Sequence, residues 1–184
     1  GITVIPSFIF GFPEETEQDL EETLQLIHAV RKMGATGYQL HLFAMFPGTE
    51  YYSEFRDELE FAPMQSNAVG SFGVEENFNF ICEYKNLFPF YYEYRSEFRT
   101  RFSSLEKTVK LCMQAYDLIK KLDPEKHRDL RIVDVYLGLK AASEVRDSAW
   151  DIFSTDKYKL IYGYLCTVYS GDDLEKVREI IRFE

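Results

Sequence analysis

Residues 8–16 read Phe-Ile-Phe-Gly-Phe-Pro-Glu-Glu-Thr, and this stretch decides the fold class. It closes an apolar run that begins at Ile2 and has few polar breaks. Such a run predicts a strand that is buried on both faces, as in a parallel sheet covered by helices. The Gly-Phe-Pro sequence ends the strand. Thr16, followed three residues later by Asp19, predicts a capping box at the start of a helix.

The predicted helix is followed by a second predicted strand. Leucine and isoleucine recur along the helix at spacings of three and four, and Gly34 is a natural stop. We expect the apolar face of this helix to cover a sheet. Apolar and polar residues alternate in residues 38–46, and Thr49 can cap a short helix over residues 50–59. A strand, a helix and a strand with short connections predict a right-handed parallel unit.

Two parallel strands need partners along their edges and on both faces. The chain opens at Gly1 and Ile2, already inside the strand-like run and without a polar lead-in. A domain cut from a longer protein begins in this way. We therefore expect the partners in an N-terminal remainder of the same protein, or in a second copy of the chain through self-association.

The composition changes after the second strand and its helix. Residues 62–73 are rich in Pro, Gln, Ser, Asn and Gly, which indicates a loop and a boundary. Residues 75–102 are rich in Phe and Tyr, but their period is ambiguous and predicts no secondary structure. Further on, Ser103 with Glu106 resembles a second capping box. Helical patterns then cover residues 103–123, 130–153 and 155–169, and a short last helix from 172 onward.

Charge and cysteine usage exclude several classes of partner. The 21 basic and 31 acidic residues give a formal net charge of −10, which disfavours nucleic acid and anionic membranes. No apolar run approaches the roughly 18 residues of a spanning helix. We predict a cytoplasmic protein with neither a membrane nor a nucleic-acid partner. Cys82, Cys112 and Cys166 are too scattered for a disulfide framework or a metal motif, so no metal site is predicted and the thiols are expected to be reduced and mostly buried.

The end of the first strand is the predicted ligand site. A buried strand ending in Gly-Phe-Pro places bare backbone at the C-terminal edge of a parallel sheet, where ligands bind. Glycine lets a flat group approach the main chain, and Phe or Ile can sandwich it. A structural role, in which Gly11 and Pro13 only turn the chain, explains the same residues.

Residues 2–52 closely resemble the fifth strand, following helix and sixth strand of radical S-adenosylmethionine (SAM) barrels. The resemblance is strongest to the branch with cobalamin-binding members and methylthiotransferases. It rests on two linked motifs, Gly-Phe-Pro-Glu-Glu-Thr at residues 11–16 and Phe-Pro-Gly-Thr at residues 46–49. The family's adenine-holding motif, Gly-x-Ile-x-Gly-x-x-Glu, is matched by four residues: Ser7, Ile9, Gly11 and Glu14. This sequence departs from the pattern in having serine for the first glycine, and Glu14 where many relatives have glycine.

The resemblance implies an α/β fold that is a fragment of a parallel (β/α) partial TIM-type barrel. Residues 1–61 would supply barrel strands and helices, residues 62–102 a loop and an aromatic connecting segment, and residues 103–184 a mainly α-helical C-terminal subdomain. The implied SAM contacts are Ser7, Ile9, Gly11 and Glu14, with Ala44, Met45 and Phe46 nearby at the end of the next strand.

His41 is the candidate catalytic residue. It shares one side of its strand with Gln39 and Phe43. If that side faces the barrel lumen, His41 can contact the substrate or donate a proton, as imidazoles do near neutral pH. A packed or solvent-facing histidine explains the position equally well.

The resemblance implies a parent enzyme in which a 4Fe-4S cluster cleaves SAM reductively. Cleavage gives a 5′-deoxyadenosyl radical or, in the cobalamin branch, supports methyl transfer. The family's cysteine triplet does not occur in this chain, so the chain alone is expected to be inactive. The substrate, a small molecule or a peptide, and the use of cobalamin are left open. The alternative is a non-catalytic helical module that binds a protein or peptide through residues 84–102, where Tyr and Arg are mixed.

Overall fold

A computed structural model of the chain describes residues 2–65, 73–125, 127–145, 157–171 and 175–176. The fold is mixed α/β, and the chain forms two compact units. The strand unit comprises residues 7–15 and 39–103. The helical unit comprises residues 1–6, 16–38 and 104–184.

The strand unit contains the predicted parallel pair. Strand β1 (Ser7–Phe10) lies parallel to β2 (Gln39–Leu42), as the sequence predicts, although both strands are shorter than the predicted runs. Phe10 and Leu40 are buried, while Ile9 on the opposite face is 51% exposed. The prediction that the first strand is buried on both faces is therefore wrong for the part of the chain that the structure describes. There the parallel sheet has two strands and only one buried face.

The aromatic segment contributes one strand of a second, antiparallel pair in the strand unit. Strand β3 (Leu59–Phe61) pairs with β4 (Tyr92–Tyr94). In the described residues of this unit, the α-helices are α2 (Glu50–Glu54), α3 (Val74–Glu83) and α4 (Glu97–Phe102). Helix α4 begins where the Ser96 hydroxyl accepts a hydrogen bond from the Arg99 amide (3.1 Å), so a serine cap sets the first turn that carries Arg99.

The helical unit consists of α1 (Glu17–Lys32), α5 (Leu105–Leu122), α6 (Ile132–Val145) and α7 (Lys157–Val168). Helix α6 packs against the three others, as its many buried apolar residues require. The buried stripe of α1 therefore has α6 as a partner, where the sequence predicted a sheet. A helical apolar stripe specifies that it must be covered, but not by which element.

The predicted start and end of α1 are confirmed. The Thr16 hydroxyl accepts from the Asp19 amide (3.3 Å), and the Asp19 carboxylate accepts from the Thr16 amide (2.9 Å). The helix stops before Gly34, whose φ of +96° suits glycine. Residues 175–176 are helical, and the rest of the predicted last helix lies outside the described residues.

Candidate functional site

The exposed face of the parallel pair carries the predicted site residues of both strands. Ile9 lies opposite His41 in the register, and Ser7 lies opposite Gln39. All four side chains are exposed, because residues two apart on a strand share a face and Phe8 and Phe10 point the other way. The structure thus brings His41 beside Ile9, on a face that a ligand can reach within the strand unit.

Gly11 follows β1 and is held by hydrogen bonds within its own loop. Its amide and that of Phe12 both donate to the Glu15 carboxylate, the latter over 3.1 Å. The φ of Gly11 is +87°, and a Cβ built on it would lie 2.4 Å from Cδ1 of Leu42. Packing within the chain therefore explains why this position is a glycine, because the Leu42 side chain fills the space that a Cβ would occupy.

Glu14, the last residue of the adenine-motif match, is exposed. Its Oε2 accepts a hydrogen bond from the Tyr51 hydroxyl (3.4 Å). Desolvation and the neighbouring Glu14 carboxylate, in that order, raise the pKa of Tyr51 above its ordinary value, because both disfavour the phenolate. Glu15, which the motif comparison did not select, is the glutamate that binds the Gly11 backbone.

The three predicted residues after β2 have different environments. Met45 is buried, Ala44 is half-buried and Phe46 is 44% exposed. The turn after them is fixed by Thr49, whose hydroxyl donates to the Phe46 carbonyl (2.7 Å). Of the predicted set, Ile9 and Phe46 are the exposed large apolar side chains, and the Phe46 ring meets the Phe90 ring edge-on with centroids 6.0 Å apart.

Aromatic contacts join the two loops that follow the strands. The rings of Phe12 and Phe43 stack with centroids 4.3 Å apart, and Tyr51 meets Phe43 edge-on at 5.3 Å. Stacked and edge-on rings add specific attraction beyond their buried area. The Gly-Phe-Pro loop and the end of β2 are therefore packed together.

Arg99 is the site residue that the sequence analysis missed. Its guanidinium donates to the carbonyls of Gly11 (3.0 Å) and Phe43 (2.8 Å) and pairs with the Glu93 carboxylate (3.3 Å). Burial lowers the pKa of Arg99, and Glu93 opposes that shift. The only sequence signal was an arginine inside the aromatic segment, with a glutamate six residues earlier.

The cysteines and other metal-ligating residues form no centre in the described parts of the chain. Cys82, Cys112 and Cys166 carry free thiols, and Cys112 alone is fully buried, so the expectation of mostly buried thiols holds for that one. Burial raises the pKa of the Cys112 thiol to about 12. Within the described ranges, no group of three His, Cys, Asp or Glu side chains could hold a metal ion. An open groove at residues 82–87 includes none of the predicted cofactor residues.

Comparison with known proteins gives two local similarities. The chain is 30% identical over 70 residues to the nucleoprotein of lymphocytic choriomeningitis virus (strain WE), covering 38% of this chain and 11% of that protein. It is 40% identical over 53 residues to the tRNA-2-methylthio-N(6)-dimethylallyladenosine synthase of Ehrlichia ruminantium (strain Welgevonden), covering 29% of this chain and 12% of that enzyme. The chain thus spans 11–12% of the length of these relatives.

No protein-family model and no solved structure matches the chain. None of the described helices is both long enough and apolar enough to cross a membrane.

Proposed function

We propose that this chain is the C-terminal portion of a radical SAM enzyme, in which the exposed face of β1 and β2 forms part of the SAM and substrate pocket. The N-terminal remainder of the protein would hold the 4Fe-4S cluster, and the helical unit would be an accessory region. SAM supplies the radical chemistry when it is bound beside the cluster. This chain's own residues would bind and orient it.

The observation that carries the proposal is the coincidence of motif and geometry at the ends of two parallel strands. Ile9, the apolar member of the adenine motif, is exposed beside His41 on the neighbouring strand. The local similarity to a methylthiotransferase supports the same family branch. The similarity to a nucleoprotein does not lead us to propose nucleic-acid binding, because a net charge of −10 repels a phosphate backbone.

Calorimetric titration of SAM into the full-length protein tests the proposal. We expect Ile9→Ser to weaken SAM binding at least about tenfold, or about 1.4 kcal/mol, because it removes apolar contact with the adenine. Leu26→Ser is the matched control, since Leu26 on α1 is 54% exposed, against 51% for Ile9, and lies outside the predicted pocket. A wild-type protein that binds no SAM would contradict the proposal. If Ile9→Ser and Leu26→Ser bind SAM with equal affinity, Ile9 is not part of the SAM pocket.

Gly11→Val, which the motif alone suggests, is unsuitable for this purpose. A valine at a φ of +87° is strained, and its Cβ would collide with the Leu42 side chain. If Gly11→Val lost SAM binding, local unfolding and loss of a ligand contact would explain the result equally well. Ile9 avoids both problems, because its side chain points away from the buried face.

A second candidate function is a protein- or peptide-binding module, favoured by an aromatic surface on and after α3. This aromatic surface consists of Phe78, Phe80, Tyr84, Leu87 and Phe90, each at least 41% exposed. The rings of Phe80 and Tyr84 lie 4.9 Å apart between centroids, so these two members of the surface are in contact. Apolar surface of this kind indicates an interface.

A paired substitution separates the two functions. Phe80→Ser with Leu87→Ser should leave SAM affinity unchanged if the aromatic surface is an independent interface. If the surface mediates association between copies, the same variant should shift light-scattering masses from oligomer to monomer. A protein that binds no SAM, and whose mass falls in this variant, would favour the module over the enzyme.

A further inference from the structure

Arg99 has an unusual position for an arginine, because its side chain is only 5% exposed and that of its partner Glu93 only 7%. One guanidinium nitrogen, Nη1, donates to two backbone carbonyls, those of Gly11 and Phe43. These carbonyls lie directly after the ends of β1 and β2. A single side chain therefore joins the C-terminal ends of both parallel strands.

The elements around Arg99 hold it in this position. Its amide is bound by the Ser96 cap of α4, which fixes the start of the side chain. Its Nη2 faces Glu93 on β4, and its Cζ lies 5.9 Å from the ring centre of Tyr94. The strand and helix of the aromatic segment thus direct one guanidinium to the ends of β1 and β2.

Stability alone does not account for such a pair. Burying two charges carries a desolvation cost that can equal or exceed their attraction, and well-packed apolar replacements are often as stable or more stable. Apolar side chains could not donate to the carbonyls of Gly11 and Phe43. What the arginine adds is a planar group with several fixed donors that can bind two carbonyls and one carboxylate at once.

We propose that Arg99 is a positioning residue, which fixes the loops after β1 and β2 in the arrangement that receives the adenosyl part of SAM. This inference rests on the proposed function for the identity of the ligand. Arg99 acts through the backbone of Gly11 and Phe43 and does not itself touch the ligand. Glu93 neutralises the buried charge, so that the guanidinium can serve the two carbonyls.

The test requires a variant that removes the donors without leaving a buried charge. Arg99→Met alone would remove the buried cation beside the buried Glu93 carboxylate, and the strand unit could unfold. The double variant Arg99→Met with Glu93→Leu replaces the pair with apolar side chains and keeps the core filled. Arg99→Lys keeps the charge but lacks the planar fork, and it serves if the double variant does not fold. Arg95→Met is the matched control, because Arg95 is in the same segment but forms its ion pair with Glu60 at the surface.

Two measurements on the full-length protein separate the possible outcomes. Hydrogen exchange, read on peptides covering residues 8–16 and 40–49, reports whether the strand ends are held. These peptides include the hydrogen bond at the end of the parallel sheet, which the Phe43 amide donates to the Phe10 carbonyl (2.7 Å). Calorimetric titration measures SAM affinity, and so reports whether holding the ends of β1 and β2 contributes to SAM binding. Circular dichroism confirms that each variant is folded.

We expect exchange in both peptides to accelerate, and SAM affinity to fall, by at least about tenfold in the double variant and in Arg99→Lys, with Arg95→Met unchanged. A folded double variant that exchanges at the wild-type rate would overturn the claim that Arg99 holds the ends of β1 and β2. Faster exchange with wild-type affinity would overturn the positioning role. A wild-type protein that binds no SAM would remove the proposed function and the ligand part of this inference. The exchange data would still decide whether Arg99 holds the strand ends.

Discussion

Glu21 joins α1 to the start of α6, and its removal should destabilise the helical unit. Its carboxylate is 5% exposed and accepts from the amides of Ile132 (3.1 Å) and Val133 (2.9 Å). These amides are in the first turn of α6, where backbone N–H groups have no partner within the helix and a negative charge is favourable. Gln25 donates to the same carboxylate (2.6 Å).

The magnitude follows from the two amides. Glu21→Ala leaves both of them buried without an acceptor, at about 1–3 kcal/mol each, so we expect a loss of roughly 2–6 kcal/mol in the free energy of unfolding. Glu21→Gln retains one acceptor oxygen and loses the charge, and should cost roughly half as much. The neighbouring Glu22 is exposed and its carboxylate accepts a hydrogen bond from the Gln18 side chain (3.1 Å), so Glu22→Ala should change stability by less than about 0.5 kcal/mol.

Urea unfolding followed by circular dichroism measures these differences, and hydrogen exchange locates them. The Glu21 variants should lose protection at the first turn of α6 before the rest of that helix. If Glu21→Ala unfolds at the same urea concentration as Glu22→Ala, the carboxylate contributes nothing, and the connection between α1 and α6 is apolar packing alone.

Two further predictions concern the same unit. Gly138→Ala should destabilise it by about 1–3 kcal/mol, despite the roughly 1 kcal/mol that alanine gains over glycine in a helix, because the new Cβ would lie 2.1 Å from Cε2 of the Tyr164 ring. Gly37→Ala, with no atom near its Cβ, is the control, and equal urea midpoints for both variants would contradict the packing. Cys112, whose pKa is raised to about 12, should hold a thiolate fraction on the order of one in ten thousand at pH 8 and resist a thiol reagent until the protein unfolds. Equal native reaction rates for all three cysteines would contradict its burial.

Local signals in the sequence predicted local structure well. The capping box at Thr16 and the stop at Gly34 are confirmed, because each depends on a few neighbouring residues. The similar box predicted at Ser103 and Glu106 is wrong. Helix α5 has Ser104 at its N-cap, in a helical backbone conformation and without a side-chain cap bond, while the Ser103 hydroxyl donates to the Thr100 carbonyl (3.1 Å). A cap needs an extended backbone at that position, which spacing alone cannot reveal.

Long-range partners could not be predicted in this way. The sequence predicted that the strands carrying Ile9 and His41 pair in parallel, which the structure confirms, but it did not predict the register that places these two residues side by side. It gave no reason to connect Arg99 with Gly11, since that contact depends on how β4 and α4 fold back onto the sheet. The aromatic segment had no clear period because it forms a helix (α3), short turns, a strand (β4) and a second short helix (α4) in succession. The proposed contacts with SAM remain predictions.

Anaerobic iron and sulfide analysis with electron paramagnetic resonance tests most directly whether this chain belongs to a radical SAM enzyme. We expect the reconstituted full-length protein to hold about four irons and four sulfides in one cluster with thiolate ligands. Residues 1–184 alone should hold none, because Cys82, Cys112 and Cys166 are spread over the sequence. A full-length protein that takes up no cluster, or an isolated chain that binds one stoichiometrically, would contradict the proposed function.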